Sequence, residues 1–484
     1  MINKTFRLFI SSTFNDFIEE RNILNDVIFT TIDDFCQSKG YNFQIIDLRW
    51  GVNNESALNQ NTLAICLDEV KRCRTLSPKP NFLILAGERY GWIPLPAKIT
   101  ARDFKELMAT AQECDRALIS EWYLLDENEL EGEYYLKIRS GEYVNDANWQ
   151  AKEKELYEAL LRCVSSKPNI STEYVNRLTS SATEQEILEG LLEGDGVSNN
   201  TIAIFRSNYH TKDADQSKII KLKNRIIDKM KSDGCDDNIL HLEWDGELVH
   251  KDKGDEWESS PAYKSKFIEI TIETLKKNIE QEILWLEKEA EEMQDKTLDQ
   301  IRETAAILFK RDTEIQHLTE YIEGVSNKTL FLFGESGCGK TTLLSELIKK
   351  TKDPVFYVFY GWNEESYTLL SSLDFVIQRI KKHFNITKNL NINETNISEV
   401  FYQAIYSIPK DNKAIIIIDG MDMFHDIDSI KEAVFPSALP DNVKIIVSSA
   451  NYEIIERFTD ANRNHYELGR FDTEESHQCF SALM

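Results

Sequence analysis

No stretch of the 484-residue sequence reaches 18 apolar residues in a row, so no segment has the makings of a membrane-spanning helix. A signal peptide is also not expected, because the first strand begins within a few residues of Met1. Paired cysteines are missing as well. The eight cysteines, Cys36, Cys66, Cys73, Cys114, Cys163, Cys235, Cys338 and Cys479, form no C-x-x-C pair. That excludes a zinc framework of the usual spacing and points to a reducing, cytoplasmic setting without structural disulfides. Positive charge is scarce. The 56 Lys and Arg face 82 Asp and Glu, a formal net charge of -26, which disfavours a general nucleic-acid surface and leaves room only for a local basic groove. The length exceeds one ordinary core and predicts two or three domains.

Against these absences stands one dense motif. The run from Thr329 to Leu344 reads TLFLFGESGCGKTTLL, and Gly334 to Thr341 fit the phosphate-loop pattern G-x-x-x-x-G-K-[ST]. An apolar strand, Leu330 to Phe333, precedes it, and Leu343, Leu344, Leu347 and Ile348 mark an apolar helix face after it. In that context Gly334, Gly337, Gly339, Lys340, Thr341 and Thr342 are expected to hold nucleotide phosphates, with backbone N–H groups and Lys340 facing the anion. Thr341 is expected to hold Mg²⁺. Downstream, KAIIIIDGMD (413 to 422) has the continuous apolar run of a buried parallel strand ending in Asp419. Asp419 is the second expected Mg²⁺ residue, and Asp422 is a candidate for orienting or deprotonating the attacking water. The stretches VFYVFYGW (355 to 362) and KIIVSSA (444 to 450) supply further strands, alternating with helices as a nucleotide-binding α/β sheet requires.

The N-terminal third repeats the strand and helix rhythm: TFRLFISS, an amphipathic helix within 15 to 37, NFQIIDLRW, the helix NTLAICLDEVKRC and NFLILAGERYGW. Polar groups gather where each strand ends: Ser11 and Ser12, then Asp47, Arg49 and Trp50, then Glu88, Arg89, Tyr90 and Trp92. In a parallel sheet these ends share one edge, the ligand-binding one. Glu69 is the catalytic candidate there, since a carboxylate shielded from water can stabilise or attack a ribosyl anomeric carbon. The competing reading makes Glu69 a surface residue and pairs the arginines with Asp47 and Glu88. Residues 100 to 170 read as mostly helical, SATEQEILEGLLEG (181 to 194) as a capped helix, NTIAIFRS (200 to 207) as a buried strand, and Tyr263 to about Lys310 as one long acidic helix.

The motifs FRLFISSTFNDFIEERNIL, IIDLRWGV, CLDEVKRC and NFLILAGERYGWIP, followed by TEQEI and TIAIFR, resemble the DUF4062-type domain shared by nephrocystin-type, telomerase-associated and many bacterial proteins. That resemblance implies a TIR-like, flavodoxin-like parallel sheet over 1–280. TIR domains that cleave NAD carry W-C-x-x-E; Cys66 and Glu69 keep its C-x-x-E, with Ile65 in place of the tryptophan. The resemblance implies a pocket in which Ser12, Asp47, Arg49 and Arg89 bind NAD beside a catalytic Glu69. Residues 309–484 resemble signal-transducing ATPases with numerous domains, the STAND class that includes bacterial antiviral sensors. This implies a three-layer ATPase domain after a helical connector at 281–308, and a γ-phosphate contact from Ser448 or Ser449. It also implies ATP-driven homo-oligomers that activate the N-terminal effector, or that recruit a separate effector through a non-catalytic N-terminal module. No C-terminal sensor is visible before Met484, so the expectation is either that the chain is a piece of a longer protein or that a separate sensor or trigger protein does the sensing.

Overall fold

In the computed structural model the described residues are all but 1–3, 14–15, 49–61, 127–131, 167–168, 194–197, 210–215, 252–253, 305–310, 361–367, 389, 391–395, 428–433, 437, 458–463, 475 and 478–484. The chain forms two compact units, one mainly Asn3–Cys36 and Tyr41–Glu282, the other mainly Ile283–Met484.

The first unit is built on β1 (Thr5–Ser12), β2 (Asn42–Ile46) and β3 (Phe82–Ala86). An antiparallel insert of β4 (Lys98–Thr100), β5 (Tyr123–Asp126) and β6 (Glu133–Leu136) follows, before β7 (Thr201–Ser207) and β8 (Ile239–Glu243) rejoin the main sheet. Its order is β2-β1-β3-β7-β8, parallel throughout. All five residues of β3 are buried, as an inner strand covered on both faces requires. The order reverses between β1 and β3, the position at whose carboxyl ends open parallel sheets commonly bind ligands. Residues 100 to 170 are mostly helical, as expected, and the short antiparallel strands β5 and β6 are what the sequence reading did not include. Helix Glu113–Trp122 passes directly into β5, where the buried Tyr123 donates its hydroxyl to Pro96 O at 2.8 Å and pairs with β6. Around them Leu107, Ile119, Trp122, Leu156 and Leu160 form a separate core. A hairpin, β9 (Gly246–Lys251) and β10 (Gly254–Ser259), precedes the expected long helix, which spans Pro261–Thr304.

The second unit holds β11 (Leu330–Phe333), β12 (Val355–Val358), β13 (Ala414–Ile418), β14 (Val443–Ser449) and β15 (Asn464–Glu467), in the parallel order β12-β13-β14-β11-β15. The alternation of strand side chains divides the isoleucines of β13 between two cores. Ile416 and Ile418 pack with Val376, Ile377 and Phe401, while Ile415 and Ile417 pack with Leu343, Leu344 and Leu347 of the helix after the glycine loop. Helices thus cover both faces. No described helix is long and apolar enough to cross a membrane.

Candidate functional site

The glycine loop joins β11 to helix Lys340–Lys350. Gly337 and Gly339 turn it with φ of 81° and 99°, backbone that other L residues rarely adopt. A Cβ on either would meet nothing within 4 Å, so the loop faces open space. Gly334 is needed for a different reason: a Cβ there would lie 2.7 Å from both Cys338 Sγ and Leu468 O. Lys340 donates to Gly334 O at 2.6 Å and Glu335 O at 3.1 Å, which keeps its ammonium on the loop.

Strand order then assembles the acidic half. β14 lies between β11 and β13, so the carboxyl ends of all three converge on Asp419, which is buried. Thr341 donates its hydroxyl to Asp419 Oδ2 at 2.7 Å. Ser448 donates to the other carboxylate oxygen and accepts the Gly420 N–H at 2.9 Å. Burial raises the Asp419 pKa, while the bonds from Ser448 and Thr341 and the charge of Lys340 oppose that shift. Ser448, expected at the γ-phosphate, therefore has its hydroxyl engaged in holding Asp419. Asp422 accepts from Ser449 Oγ at 3.1 Å and from Ala450 N–H at 2.7 Å, which ties it to the end of β14. Thr342 follows in the first turn of the loop helix, where Ser345 donates to its carbonyl at 2.8 Å.

These residues fit a magnesium nucleotide: the loop has an open face, and Thr341 and Asp419 present the oxygen donors that Mg²⁺ prefers. Among the described residues no group of three or more His, Cys, Asp or Glu could hold a metal by itself.

The N-terminal edge is arranged differently from the sequence expectation. Asp47 pairs with Arg21 at 3.0 Å, both side chains 3% exposed. Ser12 is buried and donates to Thr13 O at 3.3 Å. Glu69 lies midway along helix Thr62–Leu76, half-buried, with its carboxylate 3.8 Å from Arg72. Arg89 is half-buried at the end of β3. Arg49 lies outside the described residues. Two groups of acids escaped sequence reasoning. Glu186 is buried, accepts from Ser11 Oγ at 2.6 Å, and has its pKa raised to about 7 by burial against the opposing effects of Ser11, Arg21 and Cys66. Arg206 of β7 is held by Asp16 and by Glu20 at 2.9 Å, its guanidinium lying 4.1 Å and 3.9 Å from the ring centres of Phe17 and Tyr209. The TEQEI stretch carried the only local signal for Glu186, its capped helix start at Ser181.

Residues 308–442 match a family described as an ATPase domain predominantly from Archaea, and residues 7–155 match a domain of unknown function, DUF4062. NACHT domain- and WD repeat-containing protein 1 of Mus musculus is 24% identical over 491 residues, covering 89% of this chain and 30% of that protein. NACHT and WD repeat domain-containing protein 2 of Homo sapiens is 32% identical over 140 residues, 28% of this chain and 8% of that protein. The chain thus spans less than a third of the length of these relatives. A crystal structure of a STAND protein with a tetratricopeptide repeat sensor, from Pyrococcus horikoshii, is 17% identical, covers 36% of this chain and 25% of that one, and has a TM-score of 0.24. The chain thus joins an N-terminal stretch that matches the DUF4062 family to a C-terminal stretch that matches an ATPase domain family and carries the phosphate loop.

Proposed function

We propose that the C-terminal unit is an ATP-driven switch that assembles copies of the chain and thereby turns on its N-terminal unit. The observation that carries this reading is the hydrogen-bonded chain Thr341, Asp419, Ser448 beside the open glycine loop. Lys340 and the loop N–H groups bind phosphates, Thr341 and Asp419 hold Mg²⁺, Ser448 positions Asp419, and Asp422 is placed to act on the attacking water. Bound Mg²⁺ would neutralise charge on the transferring phosphoryl group. Slow turnover suits this role, because a long-lived ATP state preserves the signal. The division of labour is an effector at 1–280, a connector at 281–308 and the ATPase at 309–484. A separate sensor or trigger protein completes the system, and antiviral defence in the cytoplasm is the setting the STAND resemblance favours. Light scattering of the purified chain with Mg²⁺ and ATP, beside the Lys340→Ala variant, tests the switch. Nucleotide-dependent growth in mass that the variant lacks is expected; identical behaviour of the two would refute it.

For the N-terminal unit, sheet order supports a flavodoxin-like and TIR-like domain, whose ligand crevice lies at the β1/β3 reversal. Cleavage of NAD or a related nucleotide at the N-glycosidic bond is the chemistry proposed for it. The second reading, a non-catalytic module that recruits a separate effector, draws on the pairing of Asp47 with Arg21 and of Glu69 with Arg72. Incubating the assembled protein with NAD⁺ and following nicotinamide release separates the two.

A further inference from the structure

The chain segment that follows β15 is fastened along the phosphate loop residue by residue. Leu468 donates its N–H to Phe333 O at 2.7 Å, and its carbonyl lies against Gly334. Gly469 O accepts from the Arg311 guanidinium at 2.8 Å, and the same guanidinium reaches Cys338 O in the loop at 3.2 Å. Arg311 is itself buried, paired with Glu314 at 2.7 Å and lying 4.2 Å from the ring centre of Phe471. This strap is thus held on either side of Arg470. The Arg470 side chain stays 68% exposed and forms an ion pair with Glu335, the second residue of the loop, itself 64% exposed. Glu335 is engaged twice, since its carbonyl accepts from Lys340 at 3.1 Å. Two cations from different parts of the chain therefore meet on one residue of the phosphate loop.

The ion pair adds little to the fold. Exposed pairs are screened by water and contribute close to nothing, and Arg311 with the Leu468 N–H already holds the strap. A carboxylate also works against a loop whose N–H groups and lysine gather anions. Both facts fit a cation held at the loop for another acceptor. Resting on the ATPase reading above, we propose that Arg470 is a second phosphate-binding cation, held on Glu335 and given up to the terminal phosphate of a bound nucleoside triphosphate. Position selects the terminal phosphate: the loop N–H groups serve the α and β phosphates, whereas Lys340, which meets Arg470 at Glu335, serves β and γ. Chemistry favours the exchange. A guanidinium stays charged and matches phosphate oxygens with two parallel donors, and a terminal phosphate carries more charge than a carboxylate. In that place Arg470 separates triphosphate from diphosphate, because a diphosphate offers no third phosphate and leaves the arginine on Glu335.

Calorimetric titration of the full chain with a non-hydrolysable ATP analogue and with ADP, each with Mg²⁺, tests the assignment. Arg470→Ala should weaken the triphosphate about tenfold, the lower end for a charged hydrogen bond, while ADP stays within about twofold. Arg470→Lys, which keeps the charge without the paired donors, should fall between parent and Ala. Glu335→Gln removes the competing carboxylate and should bind the triphosphate at least as tightly as the parent. Adding Arg470→Ala to it should again cost about tenfold. A thermal melt matching the parent's shows that each variant is folded. Equal weakening of both nucleotides by Arg470→Ala, or a Glu335→Gln variant that loses triphosphate affinity as Arg470→Ala does, marks the pair as a structural clip. Either result overturns the assignment while the ATPase site stands. If the parent binds neither nucleotide, the ATPase reading falls and this assignment with it.

Discussion

Replacing Arg206 by Met tests how much of the N-terminal fold depends on one buried charge cluster. The Arg206 side chain is 1% exposed, and its partners Asp16 and Glu20 are 0% and 2% exposed. Burial disfavours its charge, but Glu20 and Asp16 outweigh that and hold its pKa above the ordinary arginine value. The guanidinium also donates to Asp16 O at 2.9 Å, and Tyr263 donates to Glu20 at 2.8 Å, so three chain segments meet there. Methionine fills much of the volume but leaves two carboxylates without their cation, a loss of about 3–5 kcal/mol. At about 2–4 °C per kcal/mol for a unit of this size, the N-terminal melting transition should fall by roughly 6–20 °C. Differential scanning calorimetry reads it, and ATP identifies the other transition by raising it. Lys at 206 keeps the charge without the two-pronged geometry and should fall between parent and Met. A drop under roughly 3 °C for Met, or one confined to the ATP-sensitive transition, would refute the idea that this cluster holds the unit together.

Four further outcomes follow from the same geometry. Glu186→Gln should flatten the pH dependence of the N-terminal melt. The native carboxyl, with a raised pKa of about 7, contributes stability that is full below the ordinary glutamate value and lost as pH rises through about 7. Between pH 4 and pH 8 the variant should therefore gain about 3 kcal/mol relative to the parent, and parallel pH curves would contradict this. Ser448→Ala removes a proton donor from Asp419, so the acid limb of ATP turnover should move to higher pH, measured as a steady-state pH profile; an unmoved limb with reduced rate would point to direct phosphate contact instead. Gly334→Ala must push aside Leu468 O and Cys338 Sγ, and should cost about 1–3 kcal/mol in the ATP-sensitive melting transition, with weakened nucleotide binding by fluorescence titration. Lys340→Ala should weaken ATP binding about 10- to 150-fold, the worth of a charged hydrogen bond, and calorimetric titration with the parent's affinity would argue against phosphate binding there.

Contiguous chemistry was the legible part of the sequence. The glycine loop, its flanking strand and the apolar run into Asp419 are each read within a few residues, because strand burial and phosphate geometry are local demands. The parallel strands of the N-terminal unit were legible for the same reason. What stayed hidden depends on pairing across the chain. Nothing in the neighbourhood of Glu186 shows that it will meet Ser11, 175 positions away. Strand β5 was obscured because helix Glu113–Trp122 runs into it with no Gly or Pro between, and only pairing with β6 decides its conformation. Ser448 was placed correctly at a strand end, but the partner of its hydroxyl depends on β14 lying between the other two strands.

That central place of β14 bears on the order in which the protein matures. Thr341 and Asp419 are 78 positions apart and Ser448 a further 29, and a partly formed sheet holds no more than two of the three. On the proposed reading of this site, high affinity for nucleotide would arise only once the last of these strands has slotted between its neighbours. A newly made chain would gain its ligand only after β14 has joined the sheet, and ATP would retain the correctly assembled molecules by mass action.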